Sequence, residues 1–333
     1  VEEYRVDNEG NVYLVGVIYQ DRNRTRRQGL PTYQYNVLTY TNGGGEAEEY
    51  KIDLSGKFIT DLTLRPDNNG ELICAGFFSE RNSYSIKGTF FFRLDPIKKE
   101  MYNKNLKEFE FEFLTEYMSR GETSRARRRE GRGNGPELYR YSLDDLILRS
   151  DGGAVLVAEQ YFVQEVFRDQ YMNGGFYGSR LYNPYGLGFN NGNRYDRYYN
   201  YNDIIVVNIN AEGGIDWTTR IPKRQETFND GGYFSSYAMS IVQDKLFFIF
   251  NDNGRNFDPS KNENRLYAFN GKYSVIAVTE VNTDGSAQTY PLFSNRDAEV
   301  VTRPKICKQI GRRSMIVYGE RGRKFRFANV RFN

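Results

Sequence analysis

Asp144, Asp145 and Glu159 are the residues from which catalysis would be built. Two carboxyl groups facing each other across a cavity can hydrolyse a glycosidic bond: one gives a proton, the other activates water or attacks the sugar. Spacing along the chain does not place any two of the 43 acidic residues face to face. Other chemistry is narrowed by an absence. The chain has no histidine, which removes Ser-His-Asp and Cys-His nucleophile pairs and His-containing metal sites. No P-loop, G-x-G-x-x-G or G-x-S-x-G spacing occurs. Asn251, Asp252, Asp258 and Glu263 in "NDNGRNFDPSKNENR" (251–265) offer hard oxygen ligands. Their spacing fits no calcium loop of the D-x-[DN]-x-[DN]-G type, so a polar loop is the better reading, with no metal and no cofactor expected.

Cys74 in "LICAGFF" and Cys307 in "PKICKQI" sit among strand-like residues. They read as small buried hydrophobes; a disulfide between them is the other reading, which sequence does not decide.

The elements that must position these groups are β-strands. Aromatic residues make up 16% of the 333-residue chain, with 27 Tyr and 24 Phe, and there are 32 Gly. Aromatic side chains suit a pleated, half-buried surface and glycine supplies turns. Lys and Arg number 46 against the 43 acids, a balance unlike that of a general nucleic-acid binder. No run of 18 apolar residues occurs, so no transmembrane helix is expected. Residue 1 already lies in a strand-like stretch, which suggests that a preceding segment, with a targeting signal, belongs to the protein.

Internal repeats organise the chain. "YRVDNEGNVYLVGVIYQDRN" (4–23), "LRPDNNGELICAGFFSERN" (64–82) and "LRSDGGAVLVAEQYFV" (148–163) share one pattern: apolar residues, an Asp/Asn/Gly turn, then an apolar run. Residues 240–256 and 308–324 are weaker copies. A second hairpin follows each of the first four, at 35–52, 88–102, 203–221 and 275–292. In "NDIIVVNINAEGGIDW" (202–217), for example, AEGG is the turn and Trp217 should pack on the neighbouring unit. Units of about 1–57, 58–118, 138–226, 233–295 and 297–333 follow. Repeated four-stranded antiparallel units predict an all-β fold, a β-propeller with about five visible blades, six or seven in the full chain, in one domain over 1–333, with a closed five-bladed ring as the alternative.

Three segments interrupt the repeat. Leu106, Phe109, Phe113 and Tyr117 have helical spacing, so 105–118 is expected as an inserted amphipathic helix. Residues 119–136, "SRGETSRARRREGRGNGP", read as a charged loop, with a phosphate-binding basic patch as the functional alternative. Residues 164–201 are rich in Tyr, Asn, Gly and Arg and read as a binding insertion. Tyr171, Phe176, Tyr177, Tyr182, Tyr185, Tyr195, Tyr198 and Tyr199 are its candidate partner anchors, because buried aromatics dominate interface energies.

"YNDIIVVNINAEGGIDWTTRIPKRQ", "GGYFSSYAMSIVQDKLFFIFNDN", "LYRYSLDDLILRSDGGAVLVAEQYFV" and "PLFSNRDAEVVTRPKICKQIGRRSMIVYGERGRKFRFANVRF" resemble uncharacterised propeller-like envelope proteins of Bacteroidetes, over about residues 58–333. The resemblance implies export, residence in the periplasm or at the outer membrane or cell surface, and a longer N-terminus; it carries no catalytic residue. Two functions are therefore expected. The first is a non-enzymatic protein–protein interaction module whose partners are other envelope proteins, in a secretion or attachment assembly. The alternative is a carbohydrate-binding or carbohydrate-cleaving propeller.

Overall fold

The computed structural model describes residues 1–21, 23–167, 195–260, 266–269, 271 and 274–332. The fold is all-β, built from antiparallel sheets in chain order. Sheet I pairs Glu3–Val6, Val12–Tyr19, Tyr33–Thr41 and Glu46–Ile52. Sheet II pairs Phe58–Pro66, Leu72–Ser79, Gly88–Asp95 and Glu100–Glu108. Sheet III pairs Tyr141–Leu148, Ala154–Phe167, Tyr195–Ile209 and Ile215–Ile221, with Gln225–Phe228 as a fifth strand on Tyr195–Ile209. Sheet IV pairs Tyr237–Val242, Lys245–Asn253, Ser274–Val281 and Ala287–Ser294. In sheet V, Ser314–Arg321 pairs with Val301–Thr302 and Lys308–Gly311 on one edge and with Lys324–Arg331 on the other.

The recurrent Asp-containing turns close the first hairpins. Asp7 Oδ1 accepts from the amides of Glu9 and Asn11, and Asp67 Oδ1 from those of Asn69 and Glu71. Asp151 Oδ1 does the same for Gly153. A short side chain that bonds the backbone two residues on is what such turns favour.

The middle strands of sheets II, III and IV are apolar on both faces because each of these sheets packs against two others. Ile73, Ala75 and Phe77 face sheet III, where they meet Leu146, Leu156, Ile205 and Val207. Leu72, Cys74 and Phe78 face sheet I, where they meet Tyr13, Val15 and Val37. The unbroken run "LICAGFFS" is therefore a strand serving two cores, not one side of a surface sheet. Val157, Ile204 and Val206 join sheet III to Phe248 and Phe250 of sheet IV. Ile249, Ile276 and Val278 join sheet IV to Met315, Val317 and Phe332. Burying each such side chain stabilises by about 1.5–3 kcal/mol. Both cysteines are free; Cys74 is buried and Cys307 partly so.

Trp217 packs on the neighbouring sheet as its pattern predicts. Its indole nitrogen donates to Thr283 O at 2.9 Å, and its ring covers Gly285. Gly285 has φ of +85°, and a Cβ there would lie 2.7 Å from the ring. The corresponding turn of sheet III behaves alike: Gly213, at φ +82°, sits on Asn105 of sheet II.

Two of the three interrupting segments differ from expectation. Residues 105–118 are not one helix. Leu106 belongs to the strand Glu100–Glu108, opposite Phe90, and only Phe111–Thr115 is helical (α1). The open edge of Gly88–Asp95 recruits the segment as a strand, and pairing overrides its helical spacing. Residues 119–136 are not simply a charged loop. Arg120–Glu130 forms an α-helix (α2), started by a capping box in which Ser119 and Glu122 bond each other's backbone amides. Arginine is a good helix former, so a run of charge over S-x-x-E is no bar to a helix. In the insertion, 164–167 and 195–201 extend the strands of sheet III.

Candidate functional site

The first strand of sheet III carries Asp144 at a β-bulge. Leu143 pairs with Ala158 and Asp145 with Val157, which leaves Asp144 as the extra residue. A bulge re-aims a side chain out of the regular alternation. Sheet II has the same irregularity between Ile59 and Asp61. "TDLTLRP" (60–66) and "DDLILRS" (144–150) are thus equivalent stretches, and Thr60 stands where sheet III has Asp144.

Asp144 Oδ2 accepts a hydrogen bond from the Tyr237 hydroxyl at 2.7 Å, from the first strand of sheet IV. The carboxyl meets solvent, yet protein surrounds it on most sides. This burial, reinforced by the charge of Glu159, pushes its pKa up to about 7, against the pull of Tyr237, Lys223 and Lys305. Burial and the Asp144 charge likewise push the Tyr237 phenol well above its ordinary range.

Beneath this pair lies a buried polar network. Lys223 is fully buried and its ammonium has three acceptors: Glu159 Oε1 at 2.6 Å, Tyr201 O at 3.0 Å and Gln225 Oε1 at 3.1 Å. That matches the three donors of an ammonium. Ser236 Oγ donates to Glu159 Oε2 at 2.7 Å. Gln225 Nε2 donates to Asn251 O, and Asn251 Nδ2 to Thr302 O, so the network runs from sheet III through IV to V. Glu159 is therefore a positioning carboxylate, closed to solvent and neutralised by Lys223.

An aromatic pair stands against Lys305. Tyr161 and Tyr201 have ring centroids 4.6 Å apart, and Tyr161 is 37% exposed. Lys305, from the turn before Lys308–Gly311, donates to Tyr201 Oη at 2.8 Å and stands 4.2 Å from that ring's centroid. The site thus combines a carboxyl of raised pKa, a cation and an aromatic face.

Of the three carboxylates singled out by sequence, Asp144 and Glu159 share this site. Asp145 does not: it turns to Arg65 Nη2 at 3.1 Å and to the amide of Leu146. Asp61 was not singled out. Its carboxyl joins sheets II and III by accepting from the amides of Leu62 and Leu143, and burial pushes its pKa up to about 6. Asn251 and Asp252 are buried, Asn251 within the network, and Asp258 binds Ser260. Glu263 lies outside the described residues. Among the described residues no group of three or more Cys, Asp or Glu is placed to hold a metal.

Of the eight aromatic anchors, Tyr171, Phe176, Tyr177, Tyr182 and Tyr185 lie outside the described residues. Tyr195 is exposed at the start of its strand. Tyr198 packs on Phe228 with centroids 5.2 Å apart, and Tyr199 is half-buried opposite Val163.

No family model and no curated protein matches the chain. Among solved structures it is similar to an exo-β-1,3-galactanase from Phanerochaete chrysosporium determined with β-1,3-galactotriose. The likeness has 8% identity and a TM-score of 0.28, over 99% of this chain and 59% of that one. The chain thus spans little more than half the length of that relative. The finding corrects the first functional expectation. A non-enzymatic interaction module is not what it favours, since the relative is named as a carbohydrate-cleaving enzyme, in line with the alternative. At that TM-score the likeness carries no further argument about this chain.

Proposed function

We propose that the sheets are blades of a β-propeller and that the surface carrying Asp144, Tyr161 and Lys305 binds a carbohydrate. Asp144 is the group that exchanges a proton with the bound sugar. One observation carries the reading: Asp144 stands at a bulge on the first strand of sheet III, bonded by Tyr237, where burial pushes its pKa up to about 7. A carboxyl that keeps its proton near neutrality can donate to a glycosidic or hydroxyl oxygen. Tyr161 supplies a face for the apolar side of a sugar ring, and Lys305 a donor for its hydroxyls.

Calorimetric titration with a panel of neutral oligosaccharides, paired with an assay for released reducing ends, tests this. Binding is expected to weaken from about pH 5 to about pH 8 as Asp144 ionises. Asp144→Asn should bind at both pH values and release no reducing ends. Tyr161→Ala should bind more weakly. Silence across the panel by the unaltered protein would overturn the proposal.

A further inference from the structure

We infer that the cleft between α2 and sheet II is an oxyanion site that takes a phosphate or sulfate ester. Arg81, Arg125 and Arg129 line a pocket of about 390 Å³ with Met118, Asn134 and Pro136. Arg81, Arg129, Arg132 and Asn134 line a second of about 350 Å³ that shares three of these residues. Four guanidinium groups therefore border these two adjoining pockets.

The acids of these pockets are committed elsewhere. Glu122 holds the capping box through Ser119 N and Oγ, and its charge is felt by Arg125 without closing to an ion pair. Glu137 accepts from Ser79 Oγ at 2.8 Å and Glu80 N at 3.1 Å, and stands 4.0 Å from Arg81 Nε. Among the described residues, Arg125, Arg129 and Arg132 make no ion pair. Arg125 and Arg129 stand one helical turn apart, where like charges repel. By contrast Arg127, on another side of α2, pairs with Glu112 and lies over Phe111.

The helix is held for the purpose. Its capping box fixes one end, and the amides of Gly131 and Asn134 wrap back onto the carbonyls of Arg127 and Arg129 at the other. Guanidinium forks match the oxygens of a tetrahedral oxyanion with paired hydrogen bonds. A dianionic group held at Arg129, the residue shared by both pockets, relieves its repulsion with Arg125 and adds counter-charge for Arg129 and Arg132.

The experiment is calorimetry on the full chain with pyrophosphate, at low and at raised salt. One saturable site is expected, weakened by salt. Arg129→Gln and Arg125→Gln keep helix-forming side chains and should each lower affinity about tenfold or more. Arg127→Gln should leave it unchanged, and so should Asp144→Asn, which separates this site from the carbohydrate reading. A sulfated disaccharide in a second arm tells the two ester classes apart: tighter binding than pyrophosphate assigns sulfate, weaker binding assigns phosphate. Absence of saturable binding for both probes, or equal affinity in Arg129→Gln with its helicity intact, overturns the site.

Discussion

Tyr237 donates its phenol hydrogen to Asp144 Oδ2 across 2.7 Å, and the bond ties the first strand of sheet IV to that of sheet III. It favours the ionised carboxylate, while burial and Glu159 favour the acid. The balance holds the pKa at about 7, where the group can both give and take a proton.

Tyr237→Phe removes the one hydrogen bond that lowers the Asp144 pKa. The carboxyl should then titrate above 7, as read by carbon NMR of labelled aspartate. A pKa that falls, or stays unchanged, refutes the assigned balance. Glu159→Gln should act in the opposite sense, because it removes a neighbouring negative charge.

Asp61 and Asp144 both have pKa values raised above the ordinary carboxylate range, to about 6 and about 7. The folded state therefore binds more protons than the unfolded one between about pH 4 and 7. Their contribution to stability is full below that window and is lost as pH rises through the folded values. Urea unfolding should show this decline, and Asp61→Asn with Asp144→Asn should flatten it.

Lys223→Met leaves the Glu159 carboxylate buried without its counter-charge. A loss of about 3–5 kcal/mol is expected in denaturant unfolding. Adding Glu159→Leu should recover most of it, since the pair is then replaced by apolar side chains. If the double variant is no more stable than Lys223→Met, the Glu159 charge is not the source of the loss.

Gly285→Ala drives a methyl group into the Trp217 ring and places a side chain at φ +85°. It should cost more than the strain of that backbone region alone, about 1–3 kcal/mol. Gly70→Ala is the control, with φ of +81° and no atom within 4 Å of the added carbon. Fluorescence of Trp217, the single tryptophan, follows unfolding in both variants. Equal losses would mean that contact with Trp217 carries none of the cost.

Much of this architecture was legible in the residues. "YRVDNEG", "LRPDNNG" and "LRSDGG" mark tight turns because aspartate side chains bond the backbone locally, whatever surrounds them. The hairpins that follow, and the placing of Trp217 on the next sheet, come from alternation and turn chemistry, which are short-range. Leu106 and the arginines of α2 were misread for one reason: spacing and charge are weaker than an open strand edge or a capping box.

The candidate site was only half legible. "TDLTLRP" and "DDLILRS" differ at Thr60 and Asp144, and the repeat frame extended four residues upstream of Leu64 and Leu148 holds this one acidic substitution. By itself the sequence determined the strands, the turns and the stock of carboxylates, because each depends on residues a few positions apart. Only the tertiary structure decided which carboxylates come together and which stand apart. Asp144 and Asp145 are neighbours in the chain, yet the bulge sends one to Tyr237 and leaves the other with Arg65. Proton affinity follows burial and the charges of distant residues such as Glu159, Lys223 and Lys305, which come together only when sheets III, IV and V pack.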